Sequence, residues 1–314
     1  MPYFNTPLPV MIGLLSMPTV AIEAPLPINT FYDYQLYSPS SQYTPLNALS
    51  DELLSADVIL VGEWHSHSAI HRFQSDFYQA LLNANSRVTL SMEQFSRPAQ
   101  PTINRYLEGK IGELAFIAHS NAWPNYTSDY RSLVEQAKSA TMPVIAANAS
   151  RDIVRCISKV GVDYLKTLDN TQQQHVATHL DTSDRPYKKQ FMETMQGMDK
   201  NRVEHMYAAQ IAWDETMAES IAMHIQQHPS HQVMHVAGKY HVANGMGIAH
   251  SLHKRAPKLK IVLITPVTKD FQVHGTSPYP EYTLLVRSLP PQVVNNNGSY
   301  GSHPSYSAHD IHCN

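Results

Sequence analysis

The sequence predicts an α/β fold: a mostly parallel sheet flanked by helices on both faces, with a small inserted helical subdomain. Three observations lead there. Five segments read as buried strands, written mainly as continuous apolar runs, the pattern of a sheet covered on both sides. Long stretches with helical spacing separate them, as parallel crossovers require. Four of the runs end in polar residues: Val58 to Val61 leads into Gly62-Glu63-Trp64-His65, Val88 to Met92 into Glu93, Val144 to Ala147 into Asn148, and Val233 to Ala237 into Gly238-Lys239-Tyr240-His241. Ligands of open parallel sheets bind outside the carboxyl ends of the strands, so Glu63, His65, Glu93, Asn148 and His241 are expected on one rim.

Taken in order, the chain starts with an apolar stretch, Leu8 to Ile22, that ends in small residues like the core of a secretory signal, although no Lys or Arg precedes Arg72. Residues 1–24 are therefore a candidate leader. Residues 25–50, rich in Pro, Ser, Tyr and Asn, read as an extended lead-in to an α/β domain over 51–288. After the first strand, Ile70, Phe73, Phe77, Ala80 and Leu81 fall at helical spacing, which predicts a helix over 68–83. Ser150-Arg151-Asp152 opens another helix, with Ile153, Val154 and Ile157 turned inward. Residues 161–207 are polar, contain four methionines and hold no strand-like run; a structureless connection of that length is improbable, so they read as the helical insertion.

The helix that returns to the sheet carries Ile211, Glu215, Ala218 and Ala222 on one stripe, placing a carboxylate on an apolar face. A buried carboxylate must find a partner or a proton, so Asp214 or Glu215 is expected either to brace the rim histidines or to bind backbone N–H groups. From residue 289 the tail is rich in Asn, Ser, Gly and Pro and is expected to be disordered. Its His303, His309, His312 and Cys313 suggest a solvated end more than a metal site. Cys156 and Cys313 are too few for a disulfide framework, and their pairing stays open.

The net charge of −3 gives no electrostatic reason to expect nucleic acid. The distinctive entries are 18 His, 17 Tyr and 13 Met, a mixture suited to borderline metal and haem chemistry. Gly-x-x-His occurs twice, at Gly62 to His65 and Gly238 to His241, each directly after a buried strand. The glycines are expected to allow turn conformations closed to other residues. Two histidines and the carboxylates Glu63 and Glu93 suit a divalent metal ion or an acid–base pair. The sequence contains no Gly-x-Ser-x-Gly elbow, phosphate-binding loop, dinucleotide fingerprint or His-Glu-x-x-His.

Five blocks in order carry a family resemblance: Gly62-Glu63-Trp64-His65 with His71 and Gln74; Met92-Glu93-Gln94-Phe95 with Gln100; Pro143 to Asn148 with Arg151; Gln210 with Trp213 to Ala218; and Gly238-Lys239-Tyr240-His241-Val242. The chain resembles the ChaN-like haem-binding proteins of the Tiki, TraB and erythromycin-esterase-like superfamily over about residues 57–265. That resemblance implies a protein of the Gram-negative envelope, periplasmic or associated with the outer membrane, that binds haem and aids its uptake. It also implies ligation by tyrosine and histidine, a homodimer sharing haem, and an outer-membrane haem receptor or transporter as partner. Relatives are usually lipoproteins; here Leu14-Leu15-Ser16-Met17 stands where a lipobox would end in cysteine. Tyr240 occupies a loop position where relatives more often carry a small residue.

Three functional readings follow. In the first, haem is held by His67, His71, Tyr240 or His241, with Tyr126 and Tyr130 in reserve. In the second, Glu63, His65, Glu93 and His241 form a hydrolytic site, as in the protease and esterase branches, either around a divalent metal ion or as a carboxylate–histidine base. Asn148, Asp214 and Glu215 would brace either site. In the third, the rim is purely structural.

Overall fold

The computed structural model describes residues 24–269, 277–291 and Cys313. In chain order the elements are β1 (Tyr34–Tyr37), α1 (Asp51–Leu54), β2 (Val58–Glu63), α2 (Ser68–Ala84), β3 (Val88–Ser96), α3 (Gln100–Leu107), α4 (Glu113–Ser120), α5 (Arg131–Ser139), β4 (Val144–Asn148) and α6 (Arg151–Val160). They continue as α7 (Asn170–Gln173), α8 (Pro186–Thr194), α9 (Lys200–Gln227), β5 (Gln232–Gly238), α10 (Lys239–Val242), α11 (Ile248–Arg255), β6 (Ile261–Val267) and β7 (Glu281–Val286). The strands form one sheet in the order β1-β7-β6-β2-β5-β3-β4. Every pairing is parallel except β1 with β7, so the sheet is mostly parallel, as the apolar runs predict.

The continuous runs are explained by what each face meets. Ile59, Val61, Leu90, Met92, Met234, Val236 and Ile264 face one core, together with Ile70, Phe73 and Phe77 of α2 and Leu133 and Val134 of α5. Val58, Leu60, Val233, Ala237 and Leu263 face the other, against Met217, Ala218 and Ile221 of α9 and Ile248 and Leu252 of α11. With both faces covered, even the polar positions within these strands, Thr89, Ser91 and His235, are fully buried and mark no solvent face.

Two strands lie outside the sequence expectation. β1 falls inside the expected lead-in, and β7 buries only every second residue, because both sit at one edge of the sheet where a single face is covered. The helical insertion is also shorter than expected. A 3-10 turn over Val162–Thr167, α7 and α8 occupy it, but α9 already begins at Lys200 and runs unbroken through the predicted boundary at 207. Asp199 explains the earlier start: its Oδ1 accepts from the Arg202 N–H at 2.9 Å, an N-cap. The insertion has its own small core of Tyr187, Phe191, Val203, Tyr207 and Ile211, with Met192, Met195, Met206, Tyr240 and Met246 packed around it.

The candidate leader lies outside the described residues apart from Ala24, and most of the expected disordered tail does too. One tail residue is tied down: Cys313 forms a disulfide with Cys156 on the buried face of α6. This resolves the pairing that the sequence left open. Closing so long a loop should stabilise the fold by about 2–4 kcal/mol. Cys313→Ser, which leaves the core around Cys156 intact, is expected to lower the thermal midpoint; equal midpoints for the variant and the parent protein under non-reducing conditions would contradict this.

Candidate functional site

The order of the strands brings the functional residues together. β5 lies between β2 and β3, and the register sets Glu63 directly opposite Gly238. The carboxyl ends of β2 and β5 thus open on one cavity of about 1370 Å³, lined among others by Glu63, Trp64, His65, Trp123, Tyr240 and His241. Small-molecule sites are typically about 300–1,000 Å³, so the cavity has room for a large planar ligand.

Glu63 is 1% exposed, yet its carboxylate accepts from Tyr130 Oη at 2.6 Å, Gln74 Nε2 at 2.7 Å and Gln94 Nε2 at 3.0 Å, and pairs with His65 Nδ1 at 2.7 Å. Burial by itself would raise its pKa; the His65 hydrogen bond and the charges of His71 and His65 outweigh burial and hold it below the usual carboxylate value. Desolvating an ion costs several kcal/mol. Hydrogen bonds to a charged acceptor return roughly 1.5–3 kcal/mol each, enough in sum to keep the group ionised. Burial would likewise lower His65, but the Glu63 hydrogen bond and the charges of Glu93 and Glu63 raise it above the ordinary imidazole value.

The second pair is built from α9 and α10. His241 Nδ1 lies 2.7 Å from Asp214 Oδ1, and its Nε2 faces Glu93 Oε1 at 3.7 Å. Asp214 is fully buried and its second oxygen accepts from Tyr187 Oη at 2.9 Å. Against the penalty of burial, the Asp214 and Glu93 charges raise His241 to about 9, so it is an imidazolium at neutral pH. Glu93 is fixed by the Gly238 N–H, which donates to its Oε2 at 2.6 Å.

The glycines serve close approach rather than unusual turns. Gly238 has an ordinary φ of −51°, and neither it nor Gly62 is among the positive-φ residues. A Cβ on Gly238 would lie 3.0 Å from His65 Cε1 and 3.5 Å from His241 Cδ2. The two rim histidines therefore flank the same bare backbone position. Gly247 plays the same part for the second pair, since its Cβ would meet the His241 carbonyl oxygen at 2.5 Å and Asp214 Oδ1 at 3.0 Å.

Glu63, His65, Tyr240 and His241 line the cavity, with Glu93 just behind them. His67 and His71 do not line it: His67 is fully buried with Nε2 on the Arg287 carbonyl at 2.8 Å, while His71 spans Gln74 Oε1 and the His65 carbonyl, both at 3.1 Å. Tyr126 packs among Phe95 and Phe116, and Tyr130 is spent on Glu63. Asn148 reaches the Glu93 backbone, not its side chain. Of the two acids on α9, Asp214 braces the rim, whereas Glu215 turns away to Arg255. Tyr187, from the insertion, and Trp123, which meets His65 edge-on with ring centres 4.9 Å apart, were not anticipated; neither sits in a periodic pattern that would place it.

A divalent metal ion at the rim is not supported. Among the described residues no group of three His, Cys, Asp or Glu is set to hold one, and the donors are otherwise committed: Glu63 to four partners, and His241 Nδ1 to Asp214.

Sheet order and rim together define a mostly parallel α/β domain with a ligand cavity at its carboxyl edge. The haem-binding uptake family ChaN, of the Tiki superfamily, matches residues 49–252, and the chain belongs to that family. A solved structure of ChaN of Campylobacter jejuni, described as binding haem cofacially, is 19% identical, covers 83% of this chain and 100% of its own, and superposes with a TM-score of 0.63. An erythromycin esterase in its open conformation, at 11% identity over 69% of this chain and 67% of its own, gives a TM-score of 0.41 and carries no argument. No curated protein matches the chain.

Because His241 is held well above an unfolded imidazole, its charge stabilises the fold fully below about pH 6.5, and that contribution fades as pH rises through about 9. The difference is worth about 3 kcal/mol. Denaturant midpoints are expected to fall between pH 7 and 10 in the parent protein and to fall much less in His241→Gln; parallel curves would show that the pair is not stabilising.

Proposed function

We propose that this protein binds haem in the rim cavity, with Tyr240 supplying the axial oxygen. The observation that carries the reading is an orphaned atom: the Tyr240 hydroxyl is buried and has no hydrogen-bond partner, although its ring belongs to the cavity wall. A buried hydroxyl left unpaired costs about 1–3 kcal/mol, a cost that ligation removes. The ring is held by Tyr187 and Phe191, with centres 5.4 and 6.2 Å away, so the oxygen has a fixed place. Trp64, Trp123 and Met246 add apolar wall, which suits the face of a porphyrin. His241 is the poorer ligand, because its Nδ1 is held by Asp214 and its Nε2 faces Glu93. Bound haem would supply a ferric centre that accepts a phenolate oxygen.

The family description supports uptake as the purpose of binding. The Cys156–Cys313 disulfide favours an oxidising compartment, consistent with the periplasm or the outer membrane. Among the described residues no helix is long and apolar enough to cross a membrane. A homodimer that stacks haems, in keeping with the cofacial haem binding described for ChaN of Campylobacter jejuni, and hand-over to an outer-membrane receptor or transporter belong to the same reading.

A hydrolytic reading is kept alive by one feature: two carboxylate–imidazole pairs, Glu63–His65 and Asp214–His241, face one cavity. An imidazolium and a carboxylate-braced histidine are the parts of an acid–base pair. Under that reading, His65→Ala or His241→Ala abolishes turnover, and activity untouched by both removes it.

Haemin added to the purified protein is expected to give a Soret band that saturates, and Tyr240→Phe, which keeps the ring packing, should weaken binding at least about tenfold, by analogy with ligand-shell losses of 10–100-fold. Burial and the Asp214 charge raise the Tyr240 phenol to about 12, so ligation releases a proton and affinity should climb with pH through the neutral range. Unchanged spectra at stoichiometric haemin would remove the proposal; full affinity in Tyr240→Phe would remove the ligand.

A further inference from the structure

Ligation at Tyr240 and packing on the apolar wall leave two cations of the rim cavity unused. Lys239 directly follows β5, and Arg151 opens α6 just beyond the end of β4; both belong to the cavity lining. Only β3 lies between β5 and β4, so with neighbouring strands about 4.8 Å apart the two residues enter the rim roughly 10 Å from each other. Lys239 is half-buried, and its Nζ stands 5.2 Å from the centre of the Trp64 ring, an aromatic face that holds the ammonium at the wall. Arg151 is exposed and, among the described residues, makes no hydrogen bond or ion pair through its side chain. The acids of the same lining are engaged elsewhere: Glu63 has its four partners in the floor, and Asp129 accepts from Asn125 Nδ2 at 2.7 Å and faces His71 Nε2 at 3.7 Å.

We propose that Arg151 and Lys239 bind the two propionate carboxylates of haem, so that the cavity takes a dicarboxylate tetrapyrrole in one orientation and discriminates against its esters. The inference rests on the haem reading and adds to it the part of the ligand that the iron and the macrocycle leave unspecified.

The chemistry of the two ends of such a ligand calls for this division. A phenolate on the iron and an apolar wall against the ring hold a metalloporphyrin whichever edge points inward. The propionates leave adjacent pyrroles on one edge, and turning that edge toward Trp64, Trp123 and Met246 would strip two carboxylates of water without compensation. Turned toward Arg151 and Lys239, they keep part of their hydration and gain a counter-charge each. The guanidinium accepts a carboxylate through two parallel N–H···O bonds, whereas the ammonium acts as a point charge on a flexible stem that covers the remaining distance. Neither contact uses the iron, so the same two residues should act on iron-free protoporphyrin.

The test titrates haemin, haemin dimethyl ester and iron-free protoporphyrin IX, in one cosolvent, into the full-length protein and into the double variant Arg151→Gln/Lys239→Met, in which the methionine keeps most of the stem that packs on Trp64. The parent protein should bind haemin more tightly than the ester, and the gap should narrow as salt is added. The double variant should lose at least about tenfold in affinity for haemin, the scale of one charge-assisted hydrogen bond, lose a similar factor for protoporphyrin, and bind the ester as the parent does. Arg151→Lys, which keeps the charge and loses the fork, should fall between the parent and Arg151→Gln. Haemin affinity unchanged in the double variant, or an equal loss for haemin and its ester, overturns the carboxylate clamp and leaves haem binding standing. No Soret change with haemin in the parent protein removes the haem reading and this inference together.

Discussion

The rim depends on a charge held where water cannot reach it. Glu63 ends the central strand β2 and is almost wholly buried, yet it stays ionised because side chains from α2, β3, the segment before α5 and its own strand end converge on it. Removing the carboxylate would strand two amide donors, a phenol and an imidazole at once. Its hydrogen bonds orient His65 and fix Tyr130, so the shape of the cavity floor follows from the solvation of one anion by protein dipoles.

The Asp214–His241 pair answers the same problem from the other side. Asp214 brings a buried negative charge from α9, and its two oxygens are shared between His241 and Tyr187. Tyr187 comes from α8 and stacks beside Tyr240, which ties the helical insertion to the rim. The insertion therefore does more than cover the sheet: its aromatic and Met-rich core positions a buried cavity-wall hydroxyl that has no partner. Polar order at the floor and apolar packing at the wall are separate devices meeting at adjacent residues, Tyr240 and His241.

Several features were readable from residues alone. Val58 to Val61 and Val144 to Ala147 are uninterrupted because both faces of their strands are covered, and such runs implied parallel neighbours and a functional carboxyl edge. The paired Gly-x-x-His motifs pointed to His65 and His241, although for the wrong local reason: Gly238 makes room for imidazole rings and Gly62 for the neighbouring strand and Lys239, and neither adopts a special backbone angle. The choice between Asp214 and Glu215 could not be read, since adjacent residues on α9 point to different neighbours and only the position of Arg255 on α11 decides which acid is consumed elsewhere. His67 and His71 looked like rim ligands because they follow β2 closely, but the first turns of α2 carry them inward.

The sequence by itself determined the layers, the strand ends and the identity of the charged rim, because periodicity and punctuation are local consequences of which faces are buried. Tertiary structure decided which of those polar groups meet. Strand order placed β5 between β2 and β3, and partners separated by more than a hundred residues, such as Glu93 and Gly238, leave no local trace. Hydrogen-bond satisfaction in a buried site is a property of the assembled neighbourhood, so only the fold could show that Tyr240 was left over.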